Sequence, residues 1–598
     1  MDPLSRLFTW LEDRVERPRL LAIRSALSSN PGALRTMGFV CREHAERIPD
    51  HTALRFEKEV VSFGAYNEGV NRYANLLRSR GVQKGDVVNI MMENSPDFLM
   101  AQGACAKLGA VAALINHHLE GEALVHVHGC SGAEIALADR ASLQVLGPLS
   151  GQLAAIEIHG DVPDPHPGGS HFRPLREELE DASTGEPKIP DVSLGDVFLF
   201  IYTSGTTGFP KPAIVRHLRF TAGGRSLAML HEVTPADCAY APIPLYHGWA
   251  NFVGFSPAFH TGACFASRRK FSASEFLADA RRHEATIFAF VGELCRYLMR
   301  TPPTDADRDH SIRLATGTGL RPDIWVDFQK RFGIPKIMDT YGQTEGNVNL
   351  QNRRGRVGSV GRCAPDTHDQ LRLARYDAEK GELVRGLDGM LVECPVGTTG
   401  ELLSRISESS AMPFDGYANP ADNEAKMIRD CFEKGDLYLR TGDLLRRDRA
   451  SYYYFVDRIG DTFRWKGENV ATLEVEHLLN SAPGVHETGV YGVLVPGADG
   501  RAGMALVVPE DGASFDPQAF LSHAKKNLPV YARPLFIRVA SAMDVTGNFK
   551  NRKLRLQTEG FDPTGIEDPL FFRDDDAERF VPLDQALYSE IVAGTRRF

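Results

Sequence analysis

The hydrophobic pattern of the first third of the chain predicts parallel strands that alternate with helices. Apolar runs at residues 87–92 and 110–115 flank an amphipathic stretch at residues 98–107, which is the pattern of a strand–helix–strand unit. Residues 133–138 and 197–202 add further apolar strands at the spacing of continued alternation. Because parallel sheets are covered by helices on both faces, this region is expected to have an α/β architecture.

The pattern changes in the second half of the chain. Alternating segments such as residues 400–404 predict a smaller, β-rich antiparallel layer. After residue 455 a compact α+β stretch follows, with a helical run at residues 473–479 and strands around residues 490–493 and 504–508. We therefore place a boundary near Asp457, between a large domain of residues 36–457 and a small one of residues 458–598.

The N-terminal segment, residues 1–35, is predicted to contain an amphipathic helix. Its apolar residues fall on one stripe and charged residues lie opposite; the stripe consists of Leu4, Leu7, Phe8, Leu11 and Val15. The charged face mixes acids with bases, which favours a helix docked on the protein's own body over an interfacial anchor. Peripheral contact with the inner face of a membrane stays open as the second interpretation.

Composition narrows the class of protein. A chain of 598 residues is too long for one hydrophobic core, and 43% hydrophobic with 24% charged residues is typical of globular proteins. The net charge of -10 argues against duplex nucleic acid as a partner. The nine cysteines occur singly without C-x-x-C pairs, so we expect core cysteines in a cytoplasmic protein with no disulfide framework. No uncharged apolar run reaches the length of a membrane span.

A phosphate-binding loop is predicted at residues 202–211, directly after an apolar strand. Glycines expose backbone N–H groups to an oxyanion, hydroxyls add donors, and a lysine adds a positive charge. The candidate ligands are Thr203, Ser204, Gly205, Thr206, Thr207, Gly208 and Lys211. The loop is not a Walker A motif, because prolines flank the lysine. A plain turn rich in Ser, Thr and Gly is the alternative.

Four further stretches follow the loop in the sequence, at residues 339–345, 439–444, 457–461 and 547–550. Together with the loop they resemble the adenylate-forming superfamily of acyl-CoA synthetases, luciferases and peptide-synthetase adenylation domains. Residues 460–470 and 500–505 resemble the fatty acid transport protein and very-long-chain acyl-CoA synthetase branch. The resemblance implies an AMP-binding domain at residues 36–457 and a small, mobile C-terminal domain at residues 458–598.

This resemblance implies a two-step reaction. ATP converts a fatty acid into an acyl-AMP with loss of pyrophosphate, and coenzyme A then displaces AMP to form a thioester. Such a site needs charge compensation more than a covalent nucleophile. The expected protein is an ATP-dependent fatty acyl-CoA synthetase for long or very long chains, with ATP, Mg²⁺ and coenzyme A as cofactor or co-substrates.

Roles for the adenylation residues follow from the resemblance. Tyr341 offers a face for adenine, Thr344 a hydroxyl for a phosphate, and Glu345 an oxygen ligand for Mg²⁺. Lys550 bridges the substrate carboxylate and the α-phosphate. His247 lies beside the carboxylate, although a packed core histidine is the alternative interpretation.

The remaining candidates concern the nucleotide and coenzyme A. Gly317 and Thr318 join the nucleotide set, although with Gly319 they lack the third glycine of a dinucleotide fingerprint and predict a loop. Asp443 follows Gly442 at a predicted tight turn and would accept hydrogen bonds from both ribose hydroxyls. Arg458 would contact ribose or phosphate oxygens. Outside their motifs, both would more often form a surface ion pair.

For the second step, the family rotates its C-terminal domain about a position that is Gly460 here. After rotation, Lys466 and Gly467 would meet the coenzyme A arm. Gln343 departs from the branch, which usually has a small residue there, and a longer amide would narrow the acyl entrance or recognise a polar group on the substrate.

Two other functions fit the same motifs. An acyl-AMP ligase would pass its acyl group to a carrier protein, and competition with free coenzyme A would separate the two. A non-catalytic fatty-acid-binding or trafficking protein would keep the fold without the reaction. The sequence specifies neither acyl chain length nor oligomeric state.

Overall fold

The computed structural model describes the chain in segments. These are residues 35–150, 156–161, 171–188, 190–203, 209–362, 370–377, 380–407, 414–466, 468–498, 500–510, 512, 514–543 and 553–596. They form two compact units, one from the described residues within 1–368 and 406–427, the other from those within 369–405 and 428–598. The predicted N-terminal helix lies outside the described residues, since of its segment only residue 35 is included.

The first unit alternates strands and helices, as its hydrophobic pattern predicts. Its elements are α1 (Met37–Arg47), β1 (Thr52–Phe56), β2 (Glu59–Ser62), α2 (Phe63–Ser79), β3 (Val87–Met91), α3 (Pro96–Leu108), β4 (Val111–Leu114), α4 (Gly121–Ser131), β5 (Ile135–Ala138), α5 (Arg140–Leu146), β6 (Glu157–Gly160), β7 (Phe172–Pro174), α6 (Leu175–Asp181), β8 (Val197–Thr203), β9 (Lys211–Arg216), α7 (His217–His231), β10 (Cys238–Tyr240), α8 (Ser256–Thr261), β11 (Cys264–Ser267), α9 (Phe276–Arg282), β12 (Ile287–Val291), α10 (Gly292–Arg300), β13 (Leu314–Thr318), α11 (Pro322–Phe332), β14 (Lys336–Gly342), β15 (Asn349–Gln351) and, late in the chain, α12 (Pro420–Glu424).

Two sheets organise the first unit. Among its described strands, one sheet has the order β7-β6-β5-β3-β4-β8-β9 and is parallel except for the last pair. The other has the order β15-β14-β13-β12-β10-β11-β1-β2 and is parallel except at its two ends. The predicted strands at residues 87–92, 110–115, 133–138 and 197–202, and the helix at 98–107, are confirmed.

Local sequence explains why these elements begin and end where they do. The Ser95 hydroxyl caps α3 by accepting from the Phe98 N–H, Pro96 occupies the first turn, and Gly109 ends the helix with φ 69°. The apolar faces of α4 and α5 then pack on the parallel sheet, so that Leu124, Val127 and Leu143 are fully buried. Their burial stabilises the sheet whose strand β8 leads into the predicted phosphate loop.

The second unit is richer in antiparallel strands. Its elements are β16 (Leu371–Ala374), β17 (Tyr376–Asp377), β18 (Glu382–Leu383), β19 (Thr399–Arg405), β20 (Met427–Arg429), β21 (Leu437–Arg447), β22 (Tyr453–Arg458), β23 (Phe463–Trp465), β24 (Glu468–Val470), α13 (Thr472–Leu479), β25 (Val485–Leu494), β26 (Arg501–Pro509), α14 (Pro517–Asn527), β27 (Phe536–Val539), α15 (Lys553–Glu559), β28 (Leu570–Asp574), β29 (Arg579–Pro582) and α16 (Gln585–Val592). The antiparallel layer predicted at residues 400–404 is confirmed as β19, which pairs with β16 and β21.

A mixed sheet of order β25-β26-β27-β28-β29 carries the core of the C-terminal part. Phe536, Val490 and Leu506 pack there with Phe520 of α14 and Val475 of α13. The predicted helix at residues 473–479 and the strands near residues 490–493 and 504–508 are confirmed. The domain boundary near Asp457 stays a prediction, because the second unit also takes in residues from 369–405.

Two sequence expectations concern membrane-spanning helices and the state of the cysteines. In the part of the chain that the structure describes, no helix combines the length and apolarity needed to cross a membrane. All described cysteines are free. They are buried as expected except for Cys130, which is exposed, with its Sγ 3.4 Å from Nε2 of His126 on the same helix.

Candidate active site

In the first unit, β14 carries the start of the motif at residues 339–345. Asp339 is buried on this strand and its carboxylate accepts the backbone N–H of Leu320 at 2.8 Å and of Gly319 at 3.3 Å. Burial raises the pKa of Asp339 to about 8 against the effect of these donors. Asp339 thus fixes the turn after β13, and Tyr341 follows two residues later, 8% exposed.

Gly317 and Thr318 belong to the end of β13 and not to a loop, so that expectation is wrong. Gly317 pairs with Phe290 on β12, and a Cβ at this glycine would lie 2.2 Å from the Phe290 ring. A close ring, not a flexible turn, explains the glycine. Since β13 and β14 are parallel neighbours, Thr318 and Tyr341 both lie toward the carboxyl edge of the sheet.

Glu345 is a second buried carboxylate of this site, after Asp339. Its Oε1 accepts a hydrogen bond from the Tyr417 hydroxyl at 3.0 Å and lies 2.7 Å from the Lys426 ammonium. Burial would raise the pKa of Glu345, but the neighbouring Lys426 charge, with the hydrogen bonds, holds it below its ordinary value. Glu345 is therefore ionised at neutral pH, and its partners come from residues 415–426, which no motif marked.

The phosphate loop is described at both ends. Thr203 ends β8 and Lys211 begins β9, and the two residues face each other in the antiparallel register. The Thr203 hydroxyl donates to the Tyr417 hydroxyl at 3.5 Å, and Lys211 Nζ lies 2.7 Å from Asp422 Oδ1. The candidates between them, Ser204, Gly205, Thr206, Thr207 and Gly208, lie outside the described residues.

Thr344 and the loop of His247 lie close together. A Cβ at Gly248 would come within 3.2 Å of the Thr344 hydroxyl, so this glycine allows the close approach. His247 is half-buried, with its ring 4.4 Å from that of Tyr246. The preceding residue, Gln343, accepts a hydrogen bond through its backbone oxygen from Arg219 at 2.8 Å. The first unit thus brings Thr203, Thr344, Glu345 and the His247 loop into one region.

Asp443 and Arg458 lie in the second unit, facing each other across β21 and β22. The Arg458 Nε is 3.7 Å from the Asp443 Oδ1. The expectation of a tight turn at Gly442 is wrong, because Gly442 lies inside the continuous strand β21 with φ 74°. The register shifts there against β19, and the buried Glu401 carboxylate accepts the Gly442 N–H at 3.2 Å. A β-bulge, and not a tight turn, therefore sets the orientation of Asp443.

Lys466 lies at the tip of the hairpin formed by β23 and β24. It is exposed, with φ 50°, and its ammonium lies 5.5 Å from the centre of the Trp465 ring. Gly467 and Lys550 lie outside the described residues, so their roles stay predictions.

The second unit contains a buried polar network that no sequence motif predicts. Lys553 Nζ lies 2.8 Å from Glu476 Oε1 and donates to the Thr472 hydroxyl at 2.6 Å. Asp457 accepts both the N–H and the hydroxyl of Thr472. Burial raises the pKa of Asp457 to about 6, and the nearby Lys553 charge opposes that rise. The only sequence feature that points to it is the basic run of residues 550–553, which begins with Lys550 and ends with Lys553.

Comparisons with known proteins cover nearly the whole chain. The model of the AMP-binding enzyme family matches residues 41–412, and that of the AMP-binding enzyme C-terminal domain matches residues 474–550. Long-chain fatty acid transport protein 2 of Rattus norvegicus is 37% identical over 591 residues, which are 96% of this chain and 93% of that protein. Medium/long-chain-fatty-acid–CoA ligase FadD6 of Mycobacterium tuberculosis is 36% identical, covering 97% of this chain and 96% of that protein.

A solved structure gives an independent comparison of the fold. The crystal structure of the anthranilate CoA ligase AuaEII in complex with anthranoyl-AMP aligns with a TM-score of 0.74. The alignment covers 89% of this chain and 98% of that one, at 21% sequence identity. At that identity the similarity establishes a shared fold.

Proposed function

This chain belongs to the AMP-binding enzyme family, and from that premise we propose that it is an ATP-dependent fatty acyl-CoA synthetase. A carboxylate oxygen of the fatty acid attacks the α-phosphorus of ATP, forming acyl-AMP while pyrophosphate leaves. The thiolate of coenzyme A then attacks the acyl carbon, forming the thioester while AMP leaves. Fatty acids are the proposed acids because relatives similar over nearly the whole chain are named for long-chain and medium/long-chain fatty acids.

One observation carries the adenylation half of this proposal. The Tyr417 hydroxyl connects Thr203, at the start of the phosphate loop, with the ionised Glu345. Phosphate-binding and cation-binding groups are therefore joined in one hydrogen-bonded cluster beside Thr344. Adenylation needs this combination, because negative charge on the phosphates must be compensated where the carboxylate attacks.

Glu345 suits the Mg²⁺ that this chemistry requires. A carboxylate oxygen is a hard ligand, and Mg²⁺ is usually held by one or two carboxylates together with substrate phosphates. The lowered pKa keeps Glu345 ionised at the pH of the reaction. Bound there, Mg²⁺ would neutralise phosphate charge, and Lys211 with the hydroxyls of the loop would hold the phosphate oxygens.

The other candidates keep their proposed roles. In the first unit, Tyr341, Gly317 and Thr318 line the adenine side, and His247 lies beside the substrate carboxylate. In the second unit, Asp443 and Arg458 bind the ribose, while Lys550 bridges the carboxylate and the α-phosphate. Lys466 and Gly467 meet coenzyme A after the domain of residues 458–598 rotates about Gly460.

Pyrophosphate release across a panel of acids tests the function. Purified protein is given ATP, Mg²⁺ and acids from acetate to very long fatty acids, with and without coenzyme A. We expect a single turnover of acyl-AMP without coenzyme A, and continuous release of AMP and pyrophosphate with it, for medium or longer fatty acids. Turnover with an acyl-carrier protein but not with coenzyme A would assign the acceptor differently. Fatty-acid binding without any ATP-dependent pyrophosphate release would contradict the proposal.

A further inference from the structure

Residues 415–426, here called the counter-ion segment, place opposite charges against the charged groups of the candidate active site. Asp422 Oδ1 lies 2.7 Å from the Lys211 ammonium, and the Lys426 ammonium lies 2.7 Å from Glu345 Oε1. Lys211 is the proposed phosphate ligand and Glu345 the proposed Mg²⁺ ligand. An anion therefore contacts the phosphate-binding cation, while a cation contacts the metal-binding anion.

Backbone hydrogen bonds hold the counter-ion segment against strand β9. The Ile214 N–H donates to the Gly416 oxygen at 2.8 Å, and the Ala418 N–H donates to the Pro212 oxygen at 2.9 Å. The segment therefore runs antiparallel alongside β9, with a bridge between Ala213 and Tyr417. The Tyr417 N–H donates to the Asn423 side chain at 2.7 Å, which ties α12 to that pairing. Asp422 is thus held at the Lys211 end of β9.

A third ion pair lies at the other end of the same strand. Asp415 Oδ1 is 2.8 Å from Arg216 Nε, and β9 separates this pair from the phosphate loop. It shows that the segment carries one structural ion pair besides the two at the site. Asp415 therefore offers a matched control for the removal of a carboxylate from the segment.

Burial makes the two site pairs unequal. The Glu345 side chain is 9% exposed and that of Lys426 31%, whereas Lys211 is 33% and Asp422 20% exposed. Water screens the Lys211–Asp422 pair more, so it is the weaker of the two. The buried Tyr417 also donates to Glu345 Oε1, so Glu345 keeps a hydrogen-bond donor when Lys426 is replaced.

We propose that the counter-ion segment mimics the charges of the substrate, so that Asp422 and Lys426 hold the contacts that a phosphate oxygen and Mg²⁺ take over when ATP binds. This inference rests on the proposed adenylation. Each internal ion keeps its partner ionised and oriented without nucleotide, and each competes with the ligand charge of the same sign. The segment therefore lowers affinity for the nucleotide while it preserves the geometry of the site.

Calorimetric titration with α,β-methylene-ATP, without fatty acid and at pH 8, tests this inference. Each protein is titrated once with Mg²⁺ and once with EDTA. Asp422→Asn removes the competing anion, so we expect nucleotide binding to tighten about two- to fivefold, the size of a partly exposed ion pair. Lys426→Gln frees Glu345 for the metal, so the ratio of the Kd in EDTA to that in Mg²⁺ should rise about tenfold.

The opposite results would overturn the inference. If Lys426 is itself a phosphate ligand, Lys426→Gln weakens binding under both conditions and the ratio does not rise. If Asp422 only orients Lys211, Asp422→Asn leaves the Kd unchanged or weakens binding. Asp415→Asn should leave the Kd unchanged, since its partner Arg216 lies away from the loop. Thermal unfolding identifies a variant that does not fold, and Asp422→Ser or Lys426→Met then replaces it.

The unaltered protein separates this inference from the function on which it rests. If it binds α,β-methylene-ATP and, in a separate assay with ATP and a fatty acid, releases pyrophosphate, the proposed adenylation is supported whatever the variants do. A failure of the variants alone then removes only the counter-ion role. If the unaltered protein binds no nucleotide, both the proposed adenylation and the counter-ion role are contradicted.

Discussion

At the scale of single residues, Glu345 shows how a buried carboxylate is kept charged. Burial alone would favour its protonated form, yet the Lys426 ammonium and the Tyr417 hydroxyl both lie against Oε1. The pKa of Glu345 is accordingly lowered and that of Lys426 is raised, so both partners are ionised. Because its folded-state pKa is depressed, Glu345 stabilises the fold above its unfolded pKa, and this stabilisation is lost as the pH falls through the folded value.

Tyr417→Phe tests the part of this arrangement that serves the reaction. It removes one donor to the ionised Glu345, so the pKa of Glu345 should rise and the acid limb of pyrophosphate release should move to higher pH. We expect the rate at the optimum to fall about tenfold, the usual size of a lost hydrogen bond to a charged acceptor. The measurement is the pH dependence of pyrophosphate release under saturating fatty acid and ATP.

Tyr240→Phe is the matched control for this change. Tyr240 is fully buried in β10, and its hydroxyl donates to Asp279 Oδ2 at 3.0 Å; neither residue is a candidate active-site residue. This variant should lower the unfolding temperature without moving the acid limb. Equal shifts of the acid limb in both variants would mean that Tyr417 acts only through general stability.

The residue scale is also where sequence reasoning reached its limit. Glu345 and Lys211 could be identified because each lies in a motif whose spacing carries chemical meaning. Asp422 and Lys426 lie far along the chain in an ordinary polar stretch, and only the pairing of residues 416–418 with β9 brings them to the site. A long-range pairing of this kind leaves no local hydrophobic or motif signal.

At the scale of elements, α13, α15 and β22 are joined by one buried network. Lys553 at the start of α15 contacts Glu476 and Thr472 of α13, and Thr472 in turn donates to Asp457 near the end of β22. The side chains of Lys553 and Glu476 are each 6% exposed. Lys550 lies three residues before Lys553 in the sequence, so the network holds the first described residue after the stretch that carries Lys550.

Lys553→Met should therefore impair adenylation, the step proposed for Lys550. It leaves Glu476 buried without its charge partner, which we expect to lower the free energy of unfolding by about 3 kcal/mol. At a temperature where the variant is folded, ATP–pyrophosphate exchange with fatty acid should fall more than thioester formation from added acyl-AMP. Lys553→Arg keeps the charge and should restore part of the exchange rate.

Lys525→Met provides the comparison within the same unit. Lys525 pairs with Glu578 at 2.8 Å, but both side chains are more than a third exposed, so this substitution should change neither half-reaction. If Lys553→Met lowered both half-reactions equally, Lys553 would be a structural residue without a positioning role.

The elements themselves were largely predictable, with exceptions that have physical causes. Strands β3, β4, β5 and β8 consist mostly of apolar residues, as expected for parallel strands covered on both faces, and this makes them recognisable in the sequence. The expectations of a tight turn at Gly442 and of a loop at Gly317 are wrong. One occupies a bulge and the other packs under a ring, and glycine in a sequence does not distinguish these causes from a turn.

At the scale of the whole molecule, the proposed reaction requires two successive arrangements of the small domain. Gly460 lies in the turn after β22, where the N–H groups of Asp461 and Thr462 both donate to the Arg458 oxygen. Glycine there tolerates a wide change in backbone angles, which a rotation between adenylation and thioesterification would need. The turn also continues directly from Arg458, the proposed ribose ligand.

Gly460→Pro should separate the two half-reactions. Proline fixes φ near −65° and restricts the preceding residue as well, so one arrangement can form while the change to the other is hindered. We expect thioester formation to fall about tenfold more than acyl-AMP formation, measured by single-turnover quench with coenzyme A added after adenylation. Gly460→Ala, which restricts the backbone far less, should slow thioester formation only slightly. Equal loss of both steps in the proline variant would remove Gly460 from the rotation, because a turn needed only for stability affects both arrangements alike.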